Sequence, residues 1–143
     1  MKWSLTALAL IVVAAAGWYI LQPEGQGTGA PAADLQGDAM VAVKLPATLA
    51  VQEQAGERAF DGVCAACHGD NAQGKEGAGP PLVHKIYEPG HHSDMAFFVA
   101  AKNGVRAHHW KFGSMPPVKG VTRADVQNII AYVRALQREN GIN

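Results

Sequence analysis

Apolar residues recur at helical spacing toward the end of the chain. Val126, Ile129, Ile130, Val133 and Leu136 fall on one face of a segment from Arg123 to Glu139, with Thr122 in the cap position and Gly141 beyond it. A second helix is predicted from Leu49 to Val63 behind Thr48, with Gly56 and Phe60 one turn apart on one face. A third is predicted from Met95 to Lys102, capped by Ser93 or Asp94 and stopped by Gly104. Leu82 to Tyr87 reads as a short turn. No segment alternates with the period of a strand, so the pattern predicts an all-α domain.

The longest apolar run stands at the front. From Trp3 to Leu21 there are 19 residues without a charge, and a helix of that length spans about 28 Å, close to the hydrocarbon core of a bilayer. Trp18 and Tyr19 at its far end suit the headgroup layer, and Lys2 holds the near end in the cytoplasm. Residues 1–21 are therefore expected to be a single transmembrane anchor. A cleavable signal peptide is the rival, with Leu5 to Val13 as its apolar region and Ala14-Ala15-Ala16 as its cleavage site. Cleavage there would leave the apolar stub Gly17-Trp18-Tyr19-Ile20-Leu21 in water, which favours the anchor. Either reading exports the remainder of the chain.

Residues 22–44 are expected to form a flexible tether. The part up to residue 38 is rich in Gly, Pro and Ala and spans about 20 to 25 Å as a coil. The more apolar stretch from Ala39 to Leu45 is suited to lie extended on the domain. Residues 45–143 then make the compact domain, small enough that a core of side chains alone is marginal.

Composition adds one exclusion. Among 143 residues, 12 basic side chains balance 12 acidic ones, so there is no basic stripe for nucleic acid. The chemistry lies in Cys64-Ala65-Ala66-Cys67-His68. This motif holds both cysteines of the chain, three apart, with a histidine directly after the second. It is the signature of covalent haem attachment, in which each thiol adds across one vinyl group and the adjacent imidazole reaches the iron. A zinc site needs a second pair of ligands, a thioredoxin-like pair needs a strand-helix-strand setting, and a disulfide over so short a loop stabilises little.

With this motif, a helix on either side and a late Met-Pro, the segment from Leu49 to Gln137 resembles a class I c-type cytochrome. The resemblance implies that the first and last helices cross around one haem c, Gly56 and Phe60 meeting Ile129 and Tyr132. Gly79-Pro80-Pro81-Leu82 is similar to the family's Gly-Pro-x-Leu turn, which implies that the Pro80 carbonyl accepts the Nδ1 proton of His68 and that Leu82 rests on the porphyrin edge. Met115, in Gly113-Ser114-Met115-Pro116-Pro117, stands where the family places its second axial ligand; His108 and His109 are the rival ligands. Met95, among Ala96, Phe97, Phe98 and Val99, reads as core packing. A His68/Met115 pair implies a one-electron carrier, not an enzyme, with redox donor and acceptor proteins as partners. A ligand-binding haem sensor or a peroxidase-like enzyme would instead need an open iron position. Covalent attachment in bacteria implies the periplasmic face of the inner membrane.

Five histidines, His84, His91, His92, His108 and His109, lie outside the motif. They suit hydrogen bonds to haem propionates. The pairs His91-His92 and His108-His109 are also a candidate second metal site for copper or zinc, and would make the chain a metal-handling protein. Neighbouring side chains on an extended backbone point apart, so each pair is expected to offer one ligand. Tyr87, Arg106, Trp110 and Lys111 are further candidates for binding propionates.

Overall fold

The computed structural model describes residues 38–143. Among the described residues four helices follow one another: α1 (Val51–Val63), α2 (Ala65–His68), α3 (Asp94–Asn103) and α4 (Arg123–Glu139), with a 3-10 turn at Lys85–Tyr87. Among the described residues there are no strands, only isolated bridges at Ala39–Lys75, Lys75–Gly79 and Val105–Met115. The class is all-α. Among the same residues no helix is long and apolar enough to cross a membrane. The expected anchor at 1–21 and most of the expected tether lie outside the described residues.

α4 begins where expected. The Thr122 hydroxyl accepts from Asp125 N at 3.1 Å, and the Asp125 carboxylate accepts from Thr122 N at 2.9 Å, a reciprocal cap that occupies two otherwise unpaired donors. α1 begins two residues later than the pattern suggested, because Ala50, not Thr48, stands at the cap and Glu53 Oε2 takes its N–H at 2.8 Å. α3 runs one residue further at each end than expected; Ser93 occupies its cap position without a side-chain bond.

The centre of the core is the contact of α1 with α4. Phe60 and Tyr132, both almost wholly buried, meet at 5.6 Å between ring centroids, tilted by 60°. Ile129, Val133 and Leu136 bury the rest of the apolar face of α4 beside them. The entering chain packs on this core. Val43 is 4% exposed, and Asn140 clamps Lys44 by accepting from its N–H at 2.9 Å and donating to its carbonyl at 2.8 Å. Val41 N donates to Gln73 O at 3.1 Å. The docked segment thus starts inside residues 22–44 and includes the apolar stretch at 39–45.

Candidate cofactor site

The Cys64–His68 motif closes a single helical turn after α1. Cys64 is the joint between α1 and α2, and the N–H groups of Cys67 and His68 donate to its carbonyl at 3.1 and 2.9 Å. Residues three and four apart share a helix face, so Cys64, Cys67 and His68 all face one cavity of about 760 Å³. Burial, helped by the neighbouring Cys67, pushes the Cys64 thiol up to about 11.

His68 is oriented from the following loop. Pro80 O lies 2.8 Å from His68 Nδ1; with the proton on Nδ1, the lone pair is on Nε2, the form that binds a metal. Burial pushes the imidazole below its ordinary value, while the bond to Pro80 partly opposes this. The Pro80 carbonyl is itself fixed, since Leu82 N and Val83 N both donate to Ala72 O at 2.8 and 3.2 Å. Gly79 packs directly on the motif: a β-carbon there would stand 2.6 Å from Cys67 O.

The opposite side of the cavity is built by α3 and the loop beyond it. Val105 and Met115 exchange a pair of main-chain hydrogen bonds, each 2.9 Å, which closes the loop and sets the Met115 side chain on the cavity wall. Gly104 ends α3 at φ +74, with the Met115 carbonyl so close that no side chain fits between them. Pro80, Leu82 and Met115 therefore line the same cavity as the motif.

Met95 differs from its expected place in the core. It is 55% exposed, Val99 is 49% exposed, and both line the cavity. α3 has no buried residue: Met95 and Val99 look onto the cavity, while Phe97 lines it and also packs against the core. Trp110, on the same wall, has a buried indole Nε1 with no partner among the described residues. An apolar, half-open space with an unpaired N–H fits a flat apolar macrocycle bearing carboxylates, and its volume is in the range of about 300 to 1,000 Å³ usual for cofactor sites. Tyr87 and Arg106 line it too, whereas Lys111 does not.

The histidines separate into groups. His84 caps the 3-10 turn by accepting from Ile86 N at 3.2 Å and lies edge-on to Trp110. His91, His92 and His109 bring ring nitrogens within 4.8 Å of one another, and His108 is not in this set. Its Nδ1 instead pairs with Arg106 O at 2.9 Å. His91 and His92 do not stand on the expected extended backbone, which would point them apart, because both N–H groups bond Glu88 O at 3.0 and 2.8 Å. The chain turns there instead of running extended, and the two rings lie 4.8 Å apart. His109 is held below the ordinary imidazole value, first by desolvation and then by the charges of His108, His92 and His91.

Sequence reasoning missed Arg134 and Gln137. Both are buried, and together they hold the segment that carries Leu82, Tyr87 and His92. Arg134 donates to Tyr87 O at 2.7 Å and His92 O at 2.6 Å, and Gln137 Nε2 donates to Leu82 O at 2.8 Å. The signal was their spacing, four and seven residues after Ile130 on the buried face of α4.

Residues 53–137 match the family model described as Cytochrome c. No curated protein matches the chain.

Proposed function

Because the chain belongs to the cytochrome c family and so carries covalent haem c, we propose that it is a one-electron carrier with His68 and Met115 as its axial ligands. When bound, the haem supplies the ferric/ferrous couple. Cys64 and Cys67 would tether it by two thioethers, and His68 would offer Nε2 to the iron while Pro80 O keeps the proton on Nδ1. Leu82 contributes apolar wall, and Trp110 Nε1 and Arg106 offer donors to the propionates.

Met115 brings a soft thioether that favours the ferrous form and raises the potential. With both ligands bound, the iron would have no position for a substrate, which supports an electron-transfer role over an enzymatic one. The observation that carries this reading is that the hydrogen-bonded His68 and the bridge-held Met115 line one cavity.

The uncharged run from Trp3 to Leu21 supports a location on the periplasmic face of a bacterial inner membrane, with donor and acceptor proteins meeting the domain there. Replacing residues 1–21 by a cleavable leader is expected to release a soluble red protein; retention on membranes would refute anchoring through this segment. Ligation is tested by Met115→Ala beside Met95→Leu. The first is expected to remove the long-wavelength band of thioether-bound ferric iron and to lower the potential, and the second to leave both. Retention of the band in Met115→Ala would reject the assignment.

A further inference from the structure

We propose that His91, His92 and His109 bind one divalent transition-metal cation of the zinc class at the rim of the cofactor cavity, apart from the haem iron. Their ring nitrogens already lie within 4.8 Å of one another. Around a tetrahedral zinc, with bonds of about 2.0 to 2.1 Å, ligand nitrogens stand about 3.4 Å apart, so closure needs only small side-chain rotations. His91 and His109 are exposed and free to make them.

His92 is the fixed member. Its Nδ1 pairs with Ile86 O at 2.6 Å, which leaves Nε2 for a metal, and its carbonyl accepts from the buried Arg134 at 2.6 Å. A carbonyl behind the imidazole is the usual device for orienting a metal-binding histidine. Imidazole donors without a carboxylate or thiolate select zinc, copper or nickel over calcium or magnesium. A water molecule would complete the tetrahedron.

Such an ion would join two separate parts of the cavity wall. His91 and His92 belong to the segment that Arg134 holds to α4, whereas His109 lies in the loop closed by the Val105–Met115 bridge. Binding therefore ties the Met115 loop to the helical core, and a ligand that requires the folded arrangement raises its stability. The competing use of these histidines is hydrogen bonding to the propionates. In that case the haem-loaded protein has no metal site left.

The test is zinc titration of untagged, haem-loaded protein after chelator treatment, followed by calorimetry and thermal unfolding. One zinc per haem and a raised melting temperature are expected, with His91→Ala and His109→Ala each weakening binding at least about tenfold. An unchanged visible haem spectrum shows that each variant is folded. No stoichiometric binding, or the same affinity in both variants as in the parent, would overturn the site. Were His109 the second iron ligand, His109→Ala would change the haem spectrum, which separates failure of the iron assignment from failure of the zinc site.

Discussion

Gly56 of α1 faces the main-chain carbonyl of Asn128 in α4 with no space for a side chain. A β-carbon at position 56 would overlap Asn128 O and come within 2.9 Å of Tyr132 Cβ. The two helices can touch here only through bare backbone, and the contact sets how deeply Phe60 and Tyr132 interlock beside it.

Gly56→Ala is therefore expected to cost about 3 kcal/mol, because two helix backbones must separate. Gly62, in the same helix, has nothing within 4 Å of its would-be β-carbon. Gly62→Ala should stabilise by about 0.5 to 1 kcal/mol through helix propensity. Guanidinium unfolding of the haem-loaded variants measures both, and equal effects would contradict the packing argument.

Arg134 is 7% exposed and spreads its guanidinium over Asp94, Tyr87 O, Gln137 and His92 O at 2.6 to 2.9 Å. Arg134→Met would leave these acceptors unmatched, and a loss of about 3 to 5 kcal/mol is expected. Arg134→Lys should recover little, since an ammonium lacks the planar fork that reaches acceptors on both sides. Amide hydrogen exchange should accelerate across residues 86–92 in both variants. Parent-like protection in Arg134→Lys would show that charge alone is sufficient.

Features carried by local periodicity are legible in the amino-acid sequence. The bounds of α4, its Thr122 cap, the Gly56 and Phe60 face and the haem-binding turn follow from spacing within a few residues. The burial of Arg134 follows from its spacing, but three of its four acceptors, on Asp94, Tyr87 and His92, come from residues 40 to 47 positions away, where helix periodicity says nothing. The His91–His92 geometry is hidden for a related reason: two N–H groups converging on Glu88 O make a turn that composition does not reveal. Met95 reads as core because the apolar face of α3 looks onto a cavity, and an apolar pattern cannot tell a cofactor wall from a core.

The reciprocal cap of α4 predicts an acid limb in stability. The backbone N–H of Thr122, and then its hydroxyl, hold Asp125 below its ordinary value of 3.8. A carboxylate whose value is depressed on folding stabilises the native state above the unfolded value, and that contribution is lost as the pH falls through the lower folded value. Thr122→Ala should cost about 1 kcal/mol near neutral pH, and the gap to the parent should narrow below pH 3.8. Denaturant midpoints measured from pH 7 down to pH 3 test this; a gap that widens toward acid would refute it.

Two unlike thiols hold the cofactor. The Cys64 thiol is pushed up to about 11, so at neutral pH it keeps its proton, and addition across a vinyl group places the sulfur on one carbon and hydrogen on the other. Cys67 is the more exposed of the two. Cys64→Ser or Cys67→Ser alone leaves one sulfur to form a bond, and covalent haem at reduced yield is expected. The double variant has none. Its cavity of about 760 Å³ then depends on non-covalent contacts, so little folded red protein should accumulate. Haem staining on a denaturing gel decides the matter, since only a covalent bond survives it. Persistent stain in the double variant would mean attachment elsewhere in the chain and would remove the role given to the Cys64–His68 turn.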